Sequence, residues 1–369
     1  MNALPSVTLP GTDITTSRIG FGCNALLGTD RTRRQALELL ETAFEMGIRH
    51  FDVARSYEAG DSEEVLGVFA RDKRDRITIT SKFRVNHGGD FHRESASRAW
   101  LRRRLRTSPV VLGVRPLLKK VLGRGDAPSA SASSPSAAVP AAEPAGVRPP
   151  FDIALARQSL ETTLRELRTD YLDLFFVHEG EVEDARSDEL RAFLAEAKAA
   201  GKVRQYGFGS SYGRIRRICE AGATSIPVMQ FESSLLYPHV APVRAFGPRA
   251  ILTHGAMASL PALRAKIAGS AALAKELRTL LDADPDDTAT LSNLLLRFAL
   301  RENPEGVTLF RSSRPANIRA NLNPDRIGRT LPETVWSDLL ARLSDEPVGE
   351  TGTEAGTEKG IAGAEAYRL

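Results

Sequence analysis

The segment IALARQSLETTLRELRTDYLDLFFVH, residues 153–178, holds the fold in miniature. Its first part spaces apolar side chains three and four residues apart (Leu160, Leu164, Leu167), the mark of a helix with one buried face. Its end, YLDLFFVH at 171–178, is a short aromatic and aliphatic run suited to a strand buried on both faces. A helix followed at once by such a strand is the repeating part of a parallel α/β sheet, and the unit recurs along the chain.

Eight strands are expected: IGFGC (19–23), RHFDVA (49–54), ITITSKF (77–83), YLDLFFVH (171–178), VRQYGFGS (203–210), VMQFE (228–232), AILTHG (250–255) and VTLFR (307–311). Amphipathic stretches at 32–46, 153–167, 188–200 and 288–301 fall between them, and Gly201 is well placed to end a helix. This rhythm predicts a (β/α)8 barrel of the triosephosphate isomerase type. Ahead of the first strand, VTLPGTDIT reads as a hairpin turning at Gly11, able to plug the barrel floor.

One interval breaks the rhythm. Residues 84–150 carry twelve Lys or Arg against four Asp or Glu, a local charge of +8 that leaves the rest of the chain near −4. Within this insertion, 98–123 has enough Leu and Val to fold as a helix or lid, whereas the low-complexity run at 125–150 is expected to be disordered. The tail at 346–369 is expected to be disordered as well. Setting these aside leaves 1–83 and 151–345, about 280 residues, as a single barrel domain.

Composition excludes several classes. An apolar fraction of 42% with 26% charged residues is that of a soluble globular protein. No run approaches the roughly 18 apolar residues of a membrane span, and the opening MNALPSVTLPGTD lacks a targeting pattern, so a cytoplasmic location is expected. Cys23 and Cys219 are too few for a disulfide framework. His87 and His92 lack a third ligand nearby, so no metal is expected; RGD at 124–126 reads as chance. The basic insertion lacks interleaved aromatics apart from Trp100, so no nucleic-acid partner is expected. It fits either a substrate lid or a contact with a partner or anionic membrane surface.

In such a barrel the working residues sit at the C-terminal ends of strands. The second strand brings Asp52, with Tyr57 in the loop after it; the third brings Lys82 and the fourth His178. A carbonyl that receives hydride at carbon needs a proton at oxygen, and a phenol supplies it best when its pKa, normally about 10, is drawn toward neutrality. Lys82 is the group expected to draw it, held by Asp52 as an ion pair, while His178 orients the substrate oxygen. Individually each residue has a plainer reading: a structural ion pair, a satisfied core histidine, a packing aromatic.

HFDVARSYEAGDSEEVLG, ITITSKF, LRTDYLDLFFVHEG, GKVRQYGFGSS and VTLFRSSRPANIRANL, in that order, resemble the successive signatures of the aldo-keto reductase family. The resemblance covers nearly the whole chain outside the insertion and tail. It implies an NADPH-dependent oxidoreductase that reduces aldehydes or ketones, or oxidises the matching alcohol or sugar. It assigns catalytic roles to Asp52, Tyr57, Lys82 and His178, with Tyr57 as proton donor.

For the cofactor, GFGCNA and GFGSSY both lack the third glycine of a dinucleotide fingerprint, so no Rossmann domain is expected. The resemblance implies instead an extended dinucleotide across the barrel mouth. Gly22, Cys23 and Asn24 would line the first strand's end, with Asp52 beside them, and Ser210 and Gln230 would bind the nicotinamide carboxamide. The family's usual Ser-Asn pair is here Gly209-Ser210. His254 lies where a tyrosine commonly stacks on the nicotinamide, and an imidazole can stack there too; its plainer reading is an ordinary strand histidine. Arg311, Ser312 and Arg314 precede Pro315 at an expected helix start, a combination suited to a 2′-phosphate, although solvated surface charges have the same look. Asn321 falls where an asparagine contacts adenine. Asn317 and Ala320 depart from the arginine and glutamate of many NADP-specific members, so NADP(H) is expected with NAD(H) as the alternative. The rival to an enzyme is a regulatory or binding protein that keeps the barrel and cofactor groove without turnover.

Overall fold

A computed structural model describes residues 4–28, 31–84, 152–223, 226–323 and 331–345. Strands β1 (Ser6–Thr8) and β2 (Thr15–Ser17) form an antiparallel hairpin with Val7 opposite Thr16. Then come β3 (Ile19–Gly22), β4 (His50–Asp52), β5 (Thr78–Arg84), β6 (Leu172–His178), β7 (Val203–Gly209), β8 (Val228–Glu232), β9 (Ala250–His254) and β10 (Val307–Phe310). These eight run parallel, and β10 pairs with both β9 and β3 to close a barrel.

Every expected strand is present. The largest difference is at β4, which stops at Asp52 and not at Ala54. Val53 N still donates to Thr80 O at 2.8 Å and Arg55 N to Lys82 O at 3.2 Å, so the chain peels gradually away from β5 as it enters the Tyr57 loop.

The helices are α1 (Arg33–Glu45), α2 (Asp61–Ala70), α3 (Ile153–Leu167), α4 (Val182–Arg186), α5 (Asp188–Ala199), α6 (Tyr212–Glu220), α7 (Val240–Arg244), α8 (Leu260–Gly269), α9 (Ala271–Leu281), α10 (Thr288–Glu302), α11 (Pro315–Asn321) and α12 (Glu333–Asp345). Local sequence sets their ends. Thr32 and Gln35 form a reciprocal capping box at α1, and the Asp152 carboxylate accepts from Ala154 N and Leu155 N at α3. After α5 the chain turns at Gly201 with φ +71, a conformation that favours glycine at a helix end. The apolar face of α3 (Leu160, Leu164, Leu167) is buried as its spacing predicts.

The hairpin does close the floor. Leu9 and Ile14 are fully buried against Leu174, Phe176, Val228 and Leu252 inside the barrel. Close packing here depends on small residues: a Cβ on Gly207 would lie 2.2 Å from the Val228 carbonyl oxygen and 2.9 Å from Phe176. Outside the barrel, Phe21, Phe51, Phe83, Phe175 and Phe231 bury their rings in the main core, each contributing roughly 1.5–3 kcal/mol relative to exposure. A second apolar cluster, around Phe298 and Trp336, joins α8, α9, α10 and α12. The insertion beyond Arg84, including His87, His92, Trp100 and the 98–123 and 125–150 segments, lies outside the described residues, as does the tail from 346. Among the described residues no helix is long and apolar enough to cross a membrane.

Candidate active site

At the C-terminal end of the barrel, β4 supplies Asp52, β5 Lys82 and β6 His178, while a 3-10 turn (Tyr57–Gly60) carries Tyr57 over them. Strand alternation sends Lys82 inward, where its Nζ donates to Asp52 Oδ1 at 2.5 Å and to Val53 O at 3.3 Å. The same ammonium stands 3.5 Å from Tyr57 Oη, a long contact, and 5.2 Å from the centre of its ring. Gln230 Nε2 donates to the other carboxylate oxygen of Asp52 at 3.1 Å. The rings of Tyr57 and His178 meet edge to face at 6.3 Å. All four expected residues thus gather in one place.

Electrostatics modify one expectation. Burial raises Asp52, and the Lys82 charge and hydrogen bond with the Gln230 bond only partly oppose it. Burial alone would lower Lys82, but Asp52 and then Tyr57 outweigh it and hold the ammonium above its ordinary range. Tyr57 moves upward too: burial dominates, Lys82 pulls the other way, and Asp52 adds to the rise. The expected drop of the phenol toward neutrality is therefore absent, because burial outweighs the pull of Lys82 and Asp52 adds to the rise. The phenol is held protonated. One layer deeper, burial followed by the Lys82 charge lowers His50 to about 3, and its neutral ring pairs through Nε2 with Thr80 Oγ1 at 2.9 Å.

Two acidic residues brace this arrangement. Glu58, at φ +52 next to Tyr57, accepts from Leu27 N at 3.0 Å, Gly28 N at 2.7 Å and Ser62 Oγ at 2.7 Å. It ties the tyrosine turn to the loop after β3. Glu63 is fully buried and accepts from Arg55 Nη1 at 3.1 Å and from Ser81 and Thr163 at 2.8 Å each, joining α2 to β5 and α3. Neither was singled out in the sequence, since a lone carboxylate in a loop or first helical turn has no periodic signal.

The expected cofactor residues surround the same mouth. Ser210 Oγ and Gln230 Oε1 are buried, yet neither has a hydrogen-bond partner among the described residues. Gly22 ends β3 and Asn24 is exposed beyond it, but Cys23 turns away: its side chain is buried in the core with Sγ 3.7 Å from Phe21 O. Burial raises the Cys23 thiol well above its usual value. His254 ends β9 and is exposed at the same end of the barrel. Arg311 and Arg314 are exposed at the entry to α11, and Ser312 Oγ accepts from Arg314 N at 3.2 Å. Asn321 ends α11, its carbonyl accepting from Asn293 at 3.5 Å. An unanticipated cation joins them. Arg31 donates to Ala25 O at 3.0 Å and Ser313 O at 3.4 Å, close enough to Arg311 for the two charges to oppose each other. No group of three or more metal-ligating side chains is found among the described residues.

Comparisons with known proteins bear on the family and the fold. The family model described as the aldo/keto reductase family matches residues 18–117 and 143–337. The uncharacterized oxidoreductase YqkF of Bacillus subtilis (strain 168) is 26% identical over 200 residues, 54% of this chain but only 46% of that protein. Among solved structures, a holo-form aldo-keto reductase from Bacillus halodurans superposes with a TM-score of 0.60 at 20% identity, over 92% of this chain and 96% of the other. An aldo-keto reductase from Klebsiella pneumoniae in complex with NADPH gives 0.59 at 18%, over 95% and 98%. At such identities the structural matches carry the fold alone. With the family model spanning most of its length, this chain belongs to the aldo/keto reductase family.

Proposed function

We propose that this protein is an NADPH-dependent reductase of aldehydes or ketones, able to run in reverse on the matching alcohols, with Tyr57 as general acid. The observation that carries it is the position of the Lys82 ammonium, bonded to Asp52 and facing the Tyr57 hydroxyl beside His178. Fit to a nicotinamide rests on two buried orphan atoms: Ser210 Oγ and Gln230 Oε1 match the donor and acceptor needs of a carboxamide. Arg311, Ser312 and Arg314, with Arg31 beside them, would hold a 2′-phosphate, which favours NADP(H) over NAD(H). A structure similar in fold was solved with NADPH, in the Klebsiella pneumoniae protein.

The bound dinucleotide would supply hydride to the carbonyl carbon. Tyr57, kept protonated by its surroundings, donates to the carbonyl oxygen, and His178 orients that oxygen by a hydrogen bond. As the phenol gives up its proton, Lys82 stabilises the phenolate that forms; this favours the transition state more than the resting site. Asp52 holds Lys82 in place, and Gln230 fixes Asp52. The test is loss of NADPH absorbance with a panel of aldehydes, ketones and sugars, alongside a fluorescence titration of NADPH binding. Turnover of at least one carbonyl class supports the reading. Tight NADPH binding with no turnover across the panel would favour a cofactor-binding protein instead.

A further inference from the structure

Beyond Lys82, β5 continues for two more residues and ends at Arg84. Alternation sets Arg84 on the same inward face as Lys82, about 6.6 Å farther along the strand. Its register partner on β6 is His178. A second cation therefore stands at the rim, directly above the ammonium of the site and level with the imidazole.

Among the described residues no carboxylate is in contact with that cation. Arg84 is half-buried, and its guanidinium has no hydrogen-bond or salt-bridge partner among the described residues. Glu179, the carboxylate whose field acts on it, is already committed: it pairs with Arg214, and its other oxygen lies 4.0 Å from His178 Nε2. Arg214 is in turn held by Glu181 at 2.7 Å. Loss of hydration lowers Arg84, the Glu179 field opposes this, and the Arg214 charge adds to it. A guanidinium stays charged even so, and one stripped of part of its water without an anion in contact gains most when an anion arrives.

We propose that Arg84 is a substrate-recognition residue that binds an anionic group, a carboxylate or a phosphate, borne by the carbonyl substrate a few bonds from the reacting carbon. This deepens the proposed reductase function and rests on it. The oxygen of the carbonyl is held between Tyr57 and His178, and the anionic end reaches past His178 to Arg84. A fork of parallel N–H donors matches either anion in a bidentate fashion, whereas a neutral end group offers it little. A site built around such a donor discriminates strongly, because an uncharged analogue leaves the guanidinium unpaired.

The experiment compares pairs that share a carbon chain and differ in an anionic end group: 4-oxobutanoate against butanal, and glyceraldehyde 3-phosphate against glyceraldehyde. Wild type is expected to favour at least one anionic partner, which tells carboxylate from phosphate. Arg84→Gln should lower kcat/KM for that anion roughly 10- to 100-fold more than for its neutral counterpart, and Arg84→Lys should recover part of the loss. An equal fall on both members of each pair, or no anion preference in wild type, overturns the proposal. Calorimetric binding of 4-hydroxybutanoate and of glycerol 3-phosphate to the NADPH complex provides a readout independent of turnover. Binding lost in Arg84→Gln with no turnover of any carbonyl would retain the anion site while refuting the reductase. Turnover with equal binding to both proteins would do the reverse.

Discussion

The carboxylate of Glu58 accepts the backbone N–H of Gly28 at 2.7 Å, linking the residue beside Tyr57 to the loop that follows β3. With its bonds to Leu27 N and Ser62 Oγ, this one side chain fixes the turn from which the phenol is presented. Glu58→Ala removes the acceptor for both backbone amides and lets the turn drift. Sub-ångström misplacement of an acid is costly, so kcat should fall about 10- to 100-fold with a smaller change in the Kd for NADPH. Glu58→Gly, which suits φ +52 but cannot bind the amides, should show a similar loss of kcat. Steady-state kinetics on the two variants check this; full activity in Glu58→Gly would mean that the amide contacts are dispensable.

Lys82 and Asp52 are a nearly fully buried pair, with side chains 3% and 4% exposed. Removing one partner leaves a buried carboxylate, and Lys82→Met should cost about 3–5 kcal/mol of stability at neutral pH. The loss should shrink as pH falls, because an unpaired buried carboxyl takes up a proton. The double variant Asp52→Asn with Lys82→Met should recover much of it. Urea unfolding of the single and double variants at two pH values measures both effects.

The barrel was legible because each strand is a short apolar run set between longer periodic stretches, and patterns of period 3.6 and of continuous burial are hard to confuse at those lengths. The four candidate catalytic residues were legible for a related reason: strand ends are fixed by the same pattern, so polar residues there stand out. What the pattern could not supply was environment. Tyr57 beside Lys82 suggested a lowered phenol, but the opposing weights of burial and Asp52 depend on packing from four strands. Glu58, Arg31 and Arg84 were not singled out either, two because loops carry no period and one because the expected strand stops at Phe83, which leaves Arg84 counted with the basic insertion. Cys23 falls where the dinucleotide was expected to lie, yet its side chain faces the core, a matter of local chain direction rather than residue type.

At the entry to α11, where we propose that the 2′-phosphate binds, Arg311 and Arg314 are exposed. The double variant Arg311→Ala with Arg314→Ala should raise the Kd for NADPH about 10- to 100-fold while changing that for NADH far less. The difference should diminish with added salt, as exposed charges are screened. Fluorescence titration with both nucleotides at two ionic strengths reads it out; equal weakening of both would place the arginines on the shared pyrophosphate or adenosine instead.

His50 is fully buried and neutral, its folded pKa lowered from 6.5 to about 3 by burial and then by Lys82. The unfolded chain takes up a proton below pH 6.5 while the fold does not, so this contribution is intact above that value and is lost as pH falls toward about 3. By pH 5.5 the loss amounts to about 1.4 kcal/mol. Denaturant unfolding at pH 7.5 and 5.5 should show a larger drop for wild type than for His50→Gln. An equal drop in the two proteins would mean that His50 does not titrate this way.

The most direct test of the account concerns the Tyr57 hydroxyl. Under single-turnover conditions with saturating NADPH and an aldehyde substrate, Tyr57→Phe should slow hydride transfer by about 10²- to 10⁴-fold. Its affinity for NADPH should stay within about threefold of wild type, because the phenol is assigned to the substrate oxygen and not to the dinucleotide. Hydride transfer in Tyr57→Phe at close to the wild-type rate would contradict the assignment of Tyr57 as the proton donor.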